Sequence, residues 1–248
     1  MHISDKYSLA LDYHENSKFS LDAQTFDYRV QYKIYPNAKT ILLEKNNQSM
    51  KRQHEDSFLR TLLERKSVRN FSKENVSLTV LSHVLTLGFG LKNDETDPKL
   101  RTYASAGARY PIEVYIIILR SDEMEQGIYH FNVCDNTIEM IKRGDHSGEI
   151  RHFYSNQHEY LDLDFPLLIL FSMVPERTMQ KYGERGFRFI LLDAGHMSQN
   201  LYLVSSYLNL GVVALGAGIE NDGRLDDILS LACNEESAFY SFAMGYPQ

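Results

Sequence analysis

The chain has 248 residues, 43% of them hydrophobic and 24% charged, with a formal net charge of −7. That balance excludes a disordered chain, suits one large domain or a domain plus an extension, and argues against a nucleic-acid binder. The two cysteines, Cys134 and Cys233, stand far apart in no metal-like spacing, which leaves neither a disulfide framework nor a zinc ribbon and fits a reducing cytoplasm.

The N-terminus, MHISDKYSLALDYHENSK, has no basic start followed by an apolar run, so no signal peptide is expected. Residues 1–57 are polar and tyrosine-rich, and read as an extension packed on the main domain or on a second subunit, with a short strand at Ile41-Leu42-Leu43. The main domain is expected over 58–248. Phe58, Leu59, Leu62 and Leu63 recur at helical spacing. Ser77 is a good N-cap for a helix with Leu78, Leu81, Val84 and Leu85 on one face, ended by Gly88 and Gly90. After a polar loop over 92–99, Glu113 to Leu119 (EVYIIIL) reads as a buried strand. Gly127–Phe131 and Thr137–Ile141 read as a hairpin around Asp135-Asn136. Pro166–Val174 is a second buried strand, too short to span a bilayer. Phe187–Leu210 is a long helix stopped by Gly211, and Val212–Leu215 and Ser237–Met244 are the last strands. Hairpins mixed with helices favour an α+β sandwich over a doubly wound sheet.

Several segments have the composition of a site. In an extended Arg65-Lys-Ser67-Val-Arg69, the side chains of 65, 67 and 69 share one side, and two guanidiniums with a hydroxyl make an anion cradle. From the residues alone, a basic helix end with an incidental Arg69 is the favoured reading. Ala104-Ser105-Ala106-Gly107-Ala108-Arg109-Tyr110-Pro111 lets backbone approach a flat ligand with Ser105 as a donor, or is a tight turn feeding the strand. Gly216 and Gly218, after a strand, either present N–H groups to a ring system or supply positive φ. Gly195 and Gln199 share a helix face. A helical glycine costs about 1 kcal/mol relative to alanine, and close packing against an element or ligand is the usual reason. His196 reads as a packed or surface histidine. His146, His152 and His158 lack zincin spacing, so no metal is expected. Asp162 and Asp164 read as solvated edge residues. There is no GxGxxG after a strand, no P-loop and no GxSxG elbow.

Lys181-Tyr182 is the remaining pair. An ammonium beside a phenol favours the phenolate, and such a tyrosine is a candidate general base; a solvated surface pair is the alternative. Neighbours on a regular helix point about 100° apart, so the two converge on one ligand only from a helix end or loop. Gly183 and Gly186 supply a break there.

In chain order the motifs are R-x-S-x-R-x-F, S-A-G-A-x-Y-P-x-E-V-Y, K-Y-G-x-R-G-x-R, A-G-H-x-x-Q-N-L, a late glycine loop and a terminal M-G-Y-P. This series resembles the FMN-dependent nitroreductase superfamily. Within it the chain is most similar to the SagB-type dehydrogenases, which oxidise azolines in thiazole/oxazole-modified peptides; Tyr13-His14-Glu15-Asn16-Ser17-Lys18 and Tyr35-Pro36 also match that subgroup.

The resemblance implies an α+β sandwich with a central, mainly antiparallel sheet flanked by helices, and an intertwined homodimer with FMN in clefts at the subunit interface. It implies that Arg65, Ser67 and Arg69 hold the FMN phosphate and the ribityl or ring edge. Ser105, Gly107 and Ala108 match the loop offered to the partner subunit's flavin, and Gly216 and Gly218 the loop beside the isoalloxazine; Gln199 is taken as a further cofactor-binding position. Lys181 and Tyr182 match the catalytic pair. The implied reaction takes a thiazoline or oxazoline of a ribosomal peptide to the aromatic ring, with hydride going to FMN N5, the proton to Tyr182, and O2 as final acceptor. A YcaO-type cyclodehydratase is the implied partner. Many relatives carry a basic residue beyond the terminal G-Y-P; here Gln248 follows it, so phosphate binding is expected to rest on Arg65 and Arg69. An NAD(P)H-dependent nitro or quinone reductase on the same fold is the alternative, and a non-catalytic flavin-binding scaffold subunit a third reading.

Overall fold

The structure, a computed structural model, describes residues 32–43, 57–92, 97, 99–154, 163–215, 224–232 and 235–248. In chain order its elements are β1 (Lys39–Leu42), α1 (Ser57–Glu64), α2 (Leu78–Phe89), β2 (Ile112–Ile118), β3 (Gly127–Asn132), β4 (Thr137–Arg143), α3 (Ser147–Phe153), β5 (Leu167–Met173), α4 (Glu176–Tyr182), α5 (Gly186–Tyr207), β6 (Gly211–Leu215), α6 (Arg224–Leu229) and β7 (Ser237–Gly245). Short 3-10 turns occupy Ala106–Ala108 and Gly183–Arg185.

β2 is buried at every position, because both faces of the sheet are covered. Its residues alternate between two cores. Ile112, Val114, Ile116 and Ile118 join Leu81, Leu85, Ile190 and Met197 of α2 and α5 on one side. Tyr115 and Ile117 join Ile150 of α3 and Leu225 and Ile228 of α6 on the other. This three-layer arrangement is what a continuous apolar strand requires. The described strands form one seven-stranded sheet in the order β1-β4-β3-β2-β5-β7-β6. Every neighbouring pair is antiparallel, as expected for the α+β class. The strand anticipated around Ile41 is the edge strand β1.

Two helix ends differ from the sequence reading. α2 runs through Gly88 to Phe89 and is capped by Gly90, whose amide donates to the Thr86 carbonyl. At its start the Ser77 hydroxyl accepts from Val80 N, as anticipated. α5 ends before Gly211, where Asn209 turns the chain with φ 60°; a short amide side chain tolerates that left-handed region. Gly211 instead begins β6, and a Cβ there would lie 2.6 Å from Val68 Cβ, so its role is close approach of the 65–69 segment. Among the described residues no helix is long and apolar enough to cross a membrane, and no cluster of metal-ligating side chains occurs.

Candidate active site

Lys181 and Tyr182 are the last two residues of α4. Gly183 follows with φ 59° and ψ −152°, a conformation natural to glycine, and the 3-10 turn Gly183–Arg185 leads into α5. Gly186 lets the two helices meet: a Cβ on it would come within 3.1 Å of Met179 Cα. The break resolves the 100° problem. Both side chains reach the loop before β2, where a Cβ on Gly107 would lie 2.5 Å from Tyr182 Oη and 3.0 Å from Lys181 Nζ. The Tyr182 ring packs edge-on against Phe189, centroids 4.9 Å apart. Lys181 Nζ lies 5.2 Å from the ring centroid and the Arg185 guanidinium carbon 6.0 Å, distances at which a cation is attracted to the ring.

The facing loop is strained and strongly tied down. Gly107, Ala108 and Tyr110 have φ of 62°, 53° and 49°, and each non-glycine residue there costs on the order of 1–2 kcal/mol. The compensation comes from Asp193, a 2% exposed carboxylate on α5. Ser105 Oγ donates to Asp193 Oδ2 at 2.5 Å, Ala106 N donates to Oδ1 at 3.2 Å, and Ser105 Oγ accepts from Tyr110 N at 2.8 Å. Burial raises the Asp193 carboxyl above its usual range, opposed by the bonds from Ser105 and Ala106. His196 Nδ1 donates to the Ala104 carbonyl at 2.9 Å. Ser105 thus holds the loop, with its proton directed to Asp193, while Gly107 is exposed and Ala108 half-buried.

Arg65 and Ser67 lie elsewhere. The 65–69 segment is extended along β6, with Val68 N donating to Val212 O at 3.1 Å. Ser67 Oγ is 3.3 Å from Tyr202 Oη, and the Arg65 guanidinium lies 5.4 Å from the Tyr202 ring centroid. Arg69 is exposed. A cavity of about 360 Å³ beside this segment is lined by Glu64, Lys66, Val68, Tyr202, Ser206 and Val212 among others, and not by Arg65, Ser67 or Arg69. A second cavity of about 360 Å³, between Tyr35–Ala38, β4 and α6, is lined by no residue of either group. Asp193 and Tyr202 are nine residues apart on α5, which separates the two groups by about 14 Å along the helix. Gln199 lies between them on the exposed face with Gly195 and His196, and Leu191 and Leu192 are exposed just before Asp193. A Cβ on Gly195 would meet nothing within 4 Å, so close packing against the described residues is not the reason for that glycine. Gly216 and Gly218 lie outside the described residues.

The sequence reading missed Asp193 and a buried ionic chain. Arg177 on α4 pairs with Glu113 Oε1 at 2.5 Å, Glu113 Oε2 faces His130 Nε2 at 3.0 Å, and His130 Nδ1 faces Glu139 Oε2 at 3.2 Å. All four side chains are buried. Carboxylates only accept, so both ring nitrogens must donate and the geometry calls for an imidazolium. Burial disfavours that charge, but the bonds to Glu113 and Glu139 outweigh it and raise the His130 pKa. Burial likewise opposes the Glu113 charge, yet Arg177 and His130 hold its pKa at about 2. The available signal was a charged residue inside an apolar strand, EVYIIIL and GIYHFN, which demands a partner when both faces are covered.

Comparison with known proteins gives the setting for this geometry. The profile of the Nitroreductase family matches residues 62–246. A protein of Methanocaldococcus jannaschii named as a nitroreductase, MJ1384, is 31% identical over 163 residues, 66% of this chain and 80% of its own length. The microcin B17-processing protein McbC of Escherichia coli is 27% identical over 146 residues, 57% of this chain and 53% of that protein. Among solved structures, a chain of the E. coli microcin synthetase McbBCD complex with truncated pro-MccB17 bound aligns with a TM-score of 0.67 at 19% identity, covering 100% of this chain and 95% of that one. A nitroreductase-type protein of Desulfovibrio desulfuricans in complex with FMN aligns with a TM-score of 0.55 at 20% identity, covering 78% of this chain and 88% of that one. At these identities the structural likenesses speak to the fold.

Proposed function

The chain belongs to the nitroreductase family, and on that premise we propose that it is an FMN-dependent dehydrogenase that oxidises thiazoline or oxazoline rings in a ribosomal peptide to thiazoles or oxazoles. The observation that carries this reading is the convergence of Lys181 Nζ and Tyr182 Oη on Gly107 from a broken helix end. An ammonium and a phenol side by side suit proton removal from a ring carbon. Similarity to McbC supports a peptide-bound azoline as the class of substrate.

The residues present fit a phosphate-bearing flavin. Arg65, Ser67 and Arg69 combine two guanidiniums with a hydroxyl, the donor set for a phosphate. Bound FMN supplies a two-electron acceptor for the hydride lost by the ring. The protein's own share is the proton: Tyr182 Oη, deprotonated beside the Lys181 ammonium, takes the proton lost by the ring carbon, becomes a neutral phenol, and passes that proton to solvent before the next turnover. The ring loses one proton and one hydride, which accounts for both hydrogens.

A homodimer follows from the same reading. The two groups of candidate residues stand about 14 Å apart along α5, so a second copy would bring one group to face the other. α5 carries an exposed apolar and small-residue face for such contact, with Leu191 44% and Leu192 58% exposed beside Gly195 and Gln199. A YcaO-type cyclodehydratase is the proposed source of the azoline peptide, supported by the fold likeness to a chain of a peptide-bound synthetase complex.

The test is incubation of the FMN-loaded protein with a synthetic thiazoline peptide in air, followed by mass spectrometry. Loss of two hydrogens per ring is the expected result. NAD(P)H-dependent reduction of the flavin, followed by reduction of a nitroarene and no change in the thiazoline, would establish the reductase alternative that the name of the M. jannaschii relative favours.

A further inference from the structure

Arg177 falls outside every segment whose pattern suggests a site, yet it joins the parts of this one. It lies one helical turn before Lys181 on α4, so the two share a side of the helix. Arg177 is 8% exposed, and its guanidinium donates to two elements. One amino group donates to the Tyr110 carbonyl at 3.2 Å, and the other pairs with Glu113 Oε1 at 2.5 Å. Tyr110 closes the loop whose Gly107 faces Lys181 Nζ and Tyr182 Oη. Glu113 belongs to the central strand β2 and is itself held by His130. A planar fork with five donors serves two acceptors at once in this way, whereas an ammonium on a flexible stem does not hold both in a fixed relation.

From these contacts we propose that Arg177 is a positioning residue for the proton-transfer pair: it locks α4 to the Ser105–Tyr110 loop and to β2, and so sets the approach of the Lys181 amine and the Tyr182 hydroxyl to Gly107. This inference rests on the dehydrogenase reading. Packing of α4 on α5 through Gly186 and Met179 is the competing account of how the pair is placed. That contact fixes the helix against α5, whereas Arg177 reaches the loop that the pair faces; the Val174 amide, donating to the Pro111 carbonyl at 2.7 Å, ties the chain entering α4 to the loop's end and not the turn that carries Lys181.

The test uses the full FMN-loaded chain and two variants. Arg177→Lys keeps a cation beside Glu113 but gives up the second arm of the fork. The double variant Glu113→Gln with Arg177→Met leaves neither buried charge uncompensated by the other. Two quantities are measured: the rate of Lys181 acetylation by pulsed acetic anhydride relative to the remaining lysines, read by peptide mass spectrometry, and kcat and KM on the thiazoline peptide. Arg177→Lys is expected to keep its FMN, to raise the relative acetylation of Lys181, and to lower kcat roughly 10- to 100-fold with KM little changed, the consequence of misplacing reacting groups by about an ångström. The double variant is expected to show the same split. Parent-like kcat and parent-like Lys181 labelling in Arg177→Lys would overturn the proposal. So would loss of fold and FMN in both variants, which would make Arg177 a general stability element. If the parent chain leaves the thiazoline unchanged, the dehydrogenase reading fails, and the labelling ratio alone decides whether Arg177 places Lys181.

Discussion

Gly107→Ala probes the proton-transfer pair with a single methyl group. Two effects are separable. The first is backbone strain: at φ 62° an alanine costs about 1–2 kcal/mol, and each kcal/mol lowers the melting temperature of a chain of this size by roughly 2–4 °C. The second is steric. The methyl would stand 2.5 Å from Tyr182 Oη and 3.0 Å from Lys181 Nζ, where ordinary contact begins at 3.4 Å; the hydroxyl must retreat by about 0.9 Å (3.4 − 2.5). Both atoms end flexible side chains and can swing aside, so the contact itself adds little to the folding cost. Their displacement should instead appear in the rate, where a misplacement of about 1 Å costs on the order of 10²-fold. The assay combines a thermal melt, the FMN-to-protein ratio from absorbance, and kcat on a thiazoline peptide. Gly144→Ala is the control: it too has positive φ, 125°, but a Cβ there meets nothing within 4 Å. Gly144→Ala should lose stability and keep its rate, and Gly107→Ala should lose both. A parent-like kcat in Gly107→Ala, or an equal fall in both variants, would refute the assignment of the pair.

Lys181→Met and Tyr182→Phe should each lower turnover by roughly 10²- to 10⁴-fold while FMN content, read by absorbance, stays at the parent level; loss of flavin in both would make the pair structural. Gly211→Ala forces a methyl to within 2.6 Å of Val68 Cβ, which is fixed to backbone, and should cost about 1–3 kcal/mol in urea denaturation; because Arg65 and Ser67 share that segment, FMN retention on dilution should fall as well. The buried ionic chain sets a pH window for stability. His130 is raised above its ordinary 6.5, so its contribution is full below pH 6.5 and lost as pH rises through the folded value. Glu113 is lowered from 4.5 to about 2, so its contribution is full above pH 4.5 and lost as pH falls towards 2. Urea midpoints should be highest between these limits, with His130→Gln flattening the alkaline limb and Glu113→Gln the acid limb.

The long apolar runs were legible because each carries its own period. EVYIIIL read as a buried strand and is covered on both faces, and the segment after Gly186 read as a long helix and packs on the core through Ile190, Met197 and Leu201. Ser77 marked a helix start because a hydroxyl at that position satisfies an otherwise unpaired amide. Ends set by backbone conformation were read less well: Asn209, not Gly211, terminates α5, and only the packed structure reveals that Gly211 is small because of Val68. Ser105 looked like a donor to a ligand, whereas in the fold its proton goes to Asp193.

Asp193, Arg177, Glu113 and His130 mark the boundary. Nothing local distinguishes Asp193 or Arg177 from a solvated helix residue, and although Glu113 and His130 stand out inside apolar strands, neither strand names the partner. Their partners lie far away in sequence, Glu113 being 64 residues from Arg177 and Ser105 88 residues from Asp193. By itself the sequence determined the α+β class, the order of the strands with the helices α1, α2 and α5, and the segments rich in small, basic and aromatic residues, because those follow from periodicity and composition; the short helices α3, α4 and α6 emerged only in the structure. The tertiary structure alone decided that Lys181 and Tyr182 converge on Gly107, that Asp193 holds the strained loop facing them, and that Arg177 binds helix to loop. Such contacts depend on chain segments brought together only when two cores close over one sheet, and their energies are set by burial, which no local stretch of sequence contains.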